Sequence, residues 1–530
     1  MAAPVAAPEA PPRATPRRHA WRPWALRLLL TIASGLVFYL SFAPRPLWWL
    51  APLGFAGFAL ALRGRRFWGG LGYGFVFGLA LYLPLLTWLE DFLGASFGPW
   101  PWLGLSAALA AFLGVGGALC TLVARLPAAP VWMALIIIAT ETPRTWWPLG
   151  GFPWGRVAFS QPEGAYLPLA SIGGAPLVGF AVVLTGFGLT ALALRLRKPG
   201  LALITPAAAT LIPAIAGLAL WPAISTTAQA GTLTVATVQG NAPDVGLGLL
   251  TQAPTLRANH LRQDEKLAAD IRSGAVPRPD LVVWPETATD LSGPDPALAQ
   301  AVADLGVPAL IGARTWPPGG RAQNTEIVWD PATGPGQRYA KQQLVPFAEF
   351  VPARTIAQWV TPFVDGTGDM LPGSRPAVLD AAGTRLATPI CYEIAYDYVS
   401  RAAVDAGAQL IVLPTNNAWY GKSEMSYQQL AMARLRSVEH SRATVVSATS
   451  GVSAIVLPDG TIVQATSEFT AASLVERVPL RDTTTLSDRL GAWTEYGLVS
   501  AALAGVLTGL VQTWRTRRES ANDTRKTVAE

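Results

Sequence analysis

Apolar residues follow two rhythms along these 530 residues. Before residue 225, and again after 490, they run in long blocks. Between those limits they come in short bursts separated by turns and charged helices. The blocks at 25–43, 47–63, 67–88, 102–124, 129–147, 176–194, 201–220 and 493–513 approach or reach the roughly 20 apolar residues that carry a helix across a bilayer. They predict eight spans, the first two forming a hairpin around "APRP" and the second being the shortest. From residue 231 the pattern changes. "LTVATVQG", "DLVVWPE", "VPALIGA", "NTEIVWD", "RLATPICYE", "AQLIVLPTN" and "ATVVSATSGVSAIVLPDG" read as strands. "APTLRANHLRQDEKLAADIRS" and "YQQLAMARLRSVEHSR" read as amphipathic helices. Apolar strands with polar ends suit a sheet buried between helical layers. The expected fold is a multi-span α-helical membrane domain joined to an α/β domain.

Composition agrees, with hydrophobic residues at 51% and charged residues at only 14%. The predicted organisation is a disordered Ala/Pro-rich tail (1–22), a seven-helix transmembrane domain (23–222), an α/β domain (231–485), a C-terminal transmembrane helix (491–514) and a second tail (515–530). Arginine sets the orientation, because basic residues stay on the cytoplasmic side of short loops. Clusters precede the first span (Arg13, Arg17, Arg18, Arg22) and follow the second (Arg63, Arg65, Arg66), the fourth (Arg125), the sixth (Arg195, Arg197, Lys198) and the last (Arg515, Arg517, Arg518). All fall on one side only if both termini are cytoplasmic and 231–485 lies outside the membrane. The net charge of +6 follows from these flanking residues and leaves nothing that calls for nucleic acid. No small-x-small cleavage site follows the first apolar block, so a signal anchor is expected rather than a cleaved signal peptide.

Candidate chemistry sits at the mouths of three strands: Glu286 after "LVVWP", Lys341 after "QRYA" and Cys391 after "LATPI". The chain has two cysteines, and Cys120 lies in an apolar block. A neutral thiol needs a base or a cation to act as a nucleophile. His19 is in the first tail, and His260 and His440 fall inside helices among charged residues, where a solvated face is expected. Glu286 is therefore the candidate base. Lys341 is one of only five lysines and the single one between residues 267 and 421. Each residue alone has an ordinary reading: a buried small thiol, a surface lysine, or a glutamate capping a helix that starts at "PETATDL".

The ordered set Glu286, Lys341, Cys391 resembles the triad of the nitrilase (carbon–nitrogen hydrolase) superfamily over about 232–480. With the spans and the motifs "GGFPWG" (150–155), "VQGN" (238–241), "WPE" (284–286), "KQQLVPFAEFVP" (341–352), "CYE" (391–393), "NNAWYG" (416–421) and "MARLRSVE" (432–439), it is similar to the apolipoprotein N-acyltransferase family. The resemblance implies an extracytoplasmic α-β-β-α sandwich of the nitrilase type in a bacterial cytoplasmic membrane. It implies Glu286 as base, Cys391 as the nucleophile that carries an acyl thioester, and Lys341 as oxyanion stabiliser with the backbone N–H of Tyr392. Glu349 would support the triad, and Glu393, Asn416 and Trp419 would be further site residues. The implied partners are a phospholipid acyl donor and a diacylglyceryl apolipoprotein acceptor, turned over in ping-pong order by a monomer. No cofactor and no metal are implied.

Some family members carry a tryptophan after "VQGN" that contributes to the site. This chain reads "APDVGLGLL" there, so that contact is not carried over. Trp359, Phe363, Trp419 and Tyr420 are expected at a lipid interface or in a core, and Glu141 and Arg144 as an i, i+3 pair. Two alternatives stand beside acyl transfer. One is a membrane-tethered amidase or nitrilase acting on a small C–N substrate, which eight spans disfavour. The other is a transporter or scaffold with a dead sandwich, which an intact triad disfavours.

Overall fold

The computed structural model describes residues 22–93, 97–196, 200–351, 354–355 and 368–529. The first tail through Arg18, the basic pair Arg197 and Lys198, and Trp359 and Phe363 lie outside the described residues.

The membrane-type domain comprises α1 (Arg22–Tyr39), α2 (Leu50–Leu62), α3 (Phe67–Leu85), the short α4 (Trp88–Leu93), α5 (Trp100–Val123), α6 (Ala129–Arg144), α7 (Ala170–Arg195) and α8 (Ile204–Leu220). Every apolar block forms a helix. Among the described residues five are long and apolar enough to cross a membrane: Phe67–Leu85, Trp100–Val123, Leu167–Arg195, Leu201–Ala223 and Trp493–Thr516. The Trp24–Tyr39 and Leu50–Leu62 helices are shorter, because the turn around "APRP" takes residues from both. Helix α6 has 16 residues, with Glu141 and Arg144 in its last turn. Close packing of α3 on α5 depends on small residues. A Cβ on Gly74 would stand 2.3 Å from the Leu113 carbonyl oxygen.

Among the described residues the α/β domain has thirteen strands: β1 (Thr232–Gln239), β2 (Leu281–Val283), β3 (Thr289–Leu291), β4 (Ala309–Thr315), β5 (Gln323–Asp330), β6 (Gly334–Ala340), β7 (Val378–Ala381), β8 (Thr384–Ala387), β9 (Leu410–Thr415), β10 (Thr444–Ala448), β11 (Ala454–Val456), β12 (Ile462–Ala465) and β13 (Ala472–Pro479). One sheet runs β13-β1-β2-β4-β5-β6 with β3 also on β4, and the other runs β12-β11-β10-β9-β8-β7. Central pairs are parallel in both sheets, which explains strands apolar on both faces. The sheets meet where Ser447 Oγ donates to the Val283 carbonyl at 3.0 Å. Helices α9 (Ala253–Ser273) and α10 (Pro296–Leu305) cover the first sheet through a cluster of Leu267, Leu298 and Val302 with Val282 and Trp284. Helices α11 (Asp397–Asp405) and α12 (Met425–His440) cover the second.

After α13 (Leu486–Leu490) the chain forms one helix, α14 (Trp493–Ala529). Helical structure therefore continues through 515–529, in the segment expected as the second tail. The stretch "PETATDL" does not begin a helix either. It turns at Thr287, which has a positive φ of 48°, and enters β3. Glu286 caps nothing there.

The two domains share one core and a buried ionic seam. Glu141 is 3.2 Å from Arg144 and 3.5 Å from Arg156. Arg156 reaches Asp397 at 2.7 Å, and Asp397 in turn accepts from Arg436 at 2.5 Å. Arg436 also pairs with Glu439 and donates to the carbonyls of Ile394 and Ala395 at 3.0 and 3.2 Å. Two arginines hold the Asp397 carboxyl well below the usual carboxylate range, although burial alone would raise it. Gly174 lies against this seam with φ +64°, and a Cβ there would meet Glu439 Oε1 at 2.6 Å.

Candidate active site

Glu286, Lys341 and Cys391 line one cleft of about 780 Å³ of free space, part of it open to solvent. Topology brings them together. Strand β2 of one sheet and β8 of the other both lead into this cleft, and β6 delivers Lys341 from the sheet edge. Gly312 lets the chain leave β2 at this point, since a Cβ there would lie 2.0 Å from the Pro285 carbonyl oxygen.

Lys341 Nζ lies 2.8 Å from Glu286 Oε1 and 3.1 Å from the Glu349 carboxylate. All three are buried. Burial opposes the lysine charge, but Glu286 and Glu349 outweigh it and hold the Lys341 pKa well above its ordinary value. The lysine is a fixed ammonium. Asn324, on β5, donates through Nδ2 to Glu286 Oε1 and to Glu349 Oε1, both at 2.6 Å. Glu286 Oε2 accepts from the backbone N–H of Asn416 at 2.9 Å, and Glu349 Oε2 from that of Val345 at 2.8 Å. Both carboxylates are thus locked in orientation.

Cys391 opens a short 3₁₀ turn, Cys391–Ala395, with φ +51°. That is a strained conformation for a residue with a side chain, of the kind found at functional sites. Burial first, and the Glu286 charge second, push the thiol up to about 12, with Lys341 pulling only partly against them. The thiol is therefore neutral at rest and needs a base. Gln429 Nε2 stands 3.5 Å from Sγ, oriented by Thr415 Oγ1, which donates to Gln429 Oε1 at 2.9 Å.

Glu393 does not line the cleft. It accepts from the backbone N–H groups of Ile390, Gln342 and Gln343 at 2.8, 2.7 and 3.0 Å, and from the Tyr339 hydroxyl at 2.8 Å. It ties the Cys391–Ala395 turn to the segment that follows Lys341. The Tyr392 side chain points away, its hydroxyl donating to the Gly151 carbonyl at 3.2 Å and its ring stacked on Trp154 at 6.4 Å. The "GGFPWG" loop thus packs directly behind the Cys391–Ala395 turn. Asn416 lines the cleft and donates to Thr287 Oγ1 at 3.0 Å. Trp419 lines it half-buried, with its ring edge-on to Phe92 at 6.1 Å. Of the two readings given for Tyr420, the structure has the core one: it is buried and packs on Trp88 at 4.9 Å. In place of the tryptophan absent after "VQGN", Leu249 and Ala253 form part of the cleft wall.

The histidines also differ from expectation. His260 and His440 are fully buried rather than solvated. His260 packs on Trp284 at 5.6 Å and His440 Nδ1 lies 2.6 Å from Asp488, so neither serves the cleft. Sequence reasoning missed Asn324, Gln429 and Thr415. The first had a signal, an amide two residues from a second polar residue inside the apolar strand "QNTEIVWD". The other two had none, because nothing local marks a helical glutamine as buried.

Comparison with known proteins adds the family. The family model of the apolipoprotein N-acyltransferase N-terminal domain matches residues 34–188, and that of the carbon-nitrogen hydrolase domain matches 234–487. A Mycolicibacterium smegmatis protein named apolipoprotein N-acyltransferase is 36% identical, covering 94% of this chain and 88% of its own length. One of the same name from Azotobacter vinelandii is 33% identical over 90% and 94%. Among solved structures, an amidase from Nesterenkonia sp. AN1 is similar with a TM-score of 0.36 and 18% identity, over 50% of this chain and 97% of that one.

Proposed function

The chain belongs to the apolipoprotein N-acyltransferase family, a bacterial membrane acyltransferase with lipid and lipoprotein substrates, and on that premise we propose that Glu286, Lys341 and Cys391 are its catalytic triad. The observation that carries this reading is the buried Lys341 ammonium seated between Glu286 and Glu349 at 2.8 and 3.1 Å, in the cleft that also holds a strained cysteine.

Glu286 takes the Sγ–H proton of Cys391 as sulfur attacks the carbonyl carbon of a phospholipid ester. The carbonyl oxygen becomes an oxyanion, stabilised by Lys341 and by the backbone N–H of Tyr392. The ester C–O bond breaks, and Glu286 returns the proton to the leaving alkoxide, which departs as a lysophospholipid. Cys391 now holds an acyl thioester. The α-amine of the S-diacylglyceryl cysteine enters and attacks the thioester, Glu286 removes its proton, and the C–S bond breaks. Glu286 reprotonates the thiolate, and the amide leaves with the lipoprotein. One site thus serves two lipids in turn, which is a ping-pong sequence.

Glu349 and Asn324 keep Glu286 and Lys341 in register, and Glu393 holds the nucleophile turn. Asn416 and Trp419 line the substrate path. The α/β domain (231–485) faces the extracytoplasmic side, both termini are cytoplasmic, and the chain acts as a monomer. The basic clusters that flank the helices support this sidedness. A reporter lipoprotein from cells depending on Cys391→Ala tests the reading by mass spectrometry. Accumulation of the diacyl form with a free amine is expected, and a fully N-acylated reporter would sink it.

A further inference from the structure

The catalytic cleft contains a second cation that the reaction chemistry does not use. Asp290, Arg314 and Asn324 are direct cross-strand neighbours on β3, β4 and β5. Directly opposed residues share one face of a sheet, so the three form a polar row. Its inner end is Asn324, buried and bonded to Glu286 and Glu349. Its outer end is wet, with the Arg314 and Asp290 side chains 31% and 36% exposed. Both line the same cleft as Cys391.

Arg314 is pre-oriented on two sides. Its Nε and Nη2 donate to the two oxygens of Asp290 at 3.0 and 2.6 Å, and its guanidinium carbon lies 5.3 Å from the Trp316 ring centre. Its Nη1 has no hydrogen-bond partner among the described residues. An exposed ion pair adds little to stability. A planar guanidinium with unused donors is instead the side chain best matched to phosphate. Adjacent strands lie about 4.8 Å apart, so Arg314 sits one strand from the amide that contacts Glu286 and Glu349. In a glycerophospholipid the phosphodiester is a few bonds from the ester carbonyl under attack.

We propose that Arg314 binds the phosphodiester of the acyl donor's headgroup, with Asp290 as the residue that positions it. The assignment rests on the acyl-transfer reading above. Asp290 leaves the Nη1 edge for the anion while keeping the guanidinium from folding onto Glu286 or Glu349.

The test uses the purified full chain and reads acyl thioester on Cys391 from two donors. One is a phosphatidylglycerol vesicle and the other is p-nitrophenyl palmitate, an ester without phosphate. In Arg314→Gln the ratio of kcat/KM for phospholipid over the phosphate-free ester falls roughly 10- to 100-fold, the size of one charge-assisted contact, and the fall lies mainly in KM. If Arg314→Gln does not accumulate, Arg314→Lys carries the same test with a smaller fall. An unchanged ratio, whether both rates hold or both drop together, overturns the proposal. A third arm adds inorganic phosphate to the wild type. No competition is expected, because a donor held in the bilayer meets the cleft at high effective concentration. Displacement of phospholipid by inorganic phosphate, lost in Arg314→Gln, would mark a free-phosphate site and overturn the headgroup assignment. A wild type that forms thioester from neither donor would refute acyl transfer itself, which is a distinct result.

Discussion

Asn324 donates its amide to Glu286 at 2.6 Å, and both residues are buried in the wall of the cleft. Because the same nitrogen also donates to Glu349 at 2.6 Å, one uncharged side chain keeps two carboxylates around a single ammonium. Asn324→Ala is expected to lower kcat/KM about 10- to 100-fold, since losing a hydrogen bond to a buried charge costs about 1.5–3 kcal/mol. Asn324→Asp places a third carboxylate beside one lysine and should abolish turnover. Steady-state transfer rates on detergent-solubilised protein check both, and an Asn324→Asp enzyme with wild-type rate would contradict the bridging role.

Removing the ammonium is worse than removing the bridge. Lys341→Met leaves Glu286 and Glu349 buried without their cation, and breaking such a pair costs about 3–5 kcal/mol. The variant should lose activity and unfold at lower denaturant. Glu349→Gln, which leaves Glu286 as the remaining anion for Lys341, should be milder in stability. Equal losses in the two variants would speak against this electrostatic arrangement.

Alkaline pH offers a second handle on Cys391. Its ordinary value of 9.0 is pushed up to about 12 in the fold. Between those values the unfolded chain has released the proton and the folded chain has kept it, so stability falls as pH rises, by about 1.4 kcal/mol per pH unit at most. Below pH 9 the group contributes no slope. Subtracting the stability–pH curve of Cys391→Ala from that of the wild type should show this alkaline loss alone. Parallel curves would mean the thiol is not desolvated.

Two other buried groups act in opposite senses on the acid side. Burial lowers His260 to about 4, whereas Asp264, which accepts from Trp284 Nε1 at 3.0 Å, is raised by burial to about 7. The histidine makes the unfolded state bind the extra proton between about 4 and 6.5, so its stability term is lost as pH falls. The aspartate acts with opposite sign, losing stability as pH rises from 3.8 towards 7. In the wild type the two slopes largely cancel. His260→Gln should therefore show stability falling with rising pH across that window, and Asp264→Asn should show it rising, both by thermal unfolding. Slopes of the same sign would rule the compensation out.

Much of this site was legible in the chain because its chemistry lies at strand ends. Glu286, Lys341 and Cys391 each follow an apolar run, and the scarcity of lysine drew attention to Lys341. Glu349 and Glu393 were named from motif resemblance, although neither their partners nor the role of Glu393 behind the nucleophile could be read locally. What the chain concealed was set by tertiary contact. Asn324 becomes a bridge only when β5 lies beside β4, and Gln429 reaches sulfur only when α12 packs on the second sheet. His260 and His440 looked solvated because charged neighbours in sequence suggest a wet face, yet Asp264, Arg436, Glu439 and Arg442 are themselves buried, most of them in partnered polar contacts.

The most direct measurement is intact-mass and peptide mass spectrometry of the purified chain after incubation with phospholipid vesicles and no acceptor. An added acyl mass is expected on the Cys391 peptide, labile to hydroxylamine, discharged by a diacylglyceryl lipopeptide, and missing in Cys391→Ala and Glu286→Gln. Acylated lipopeptide formed with no acyl group ever detected on Cys391, or formed equally well by Cys391→Ala, would contradict a thioester carried by this residue.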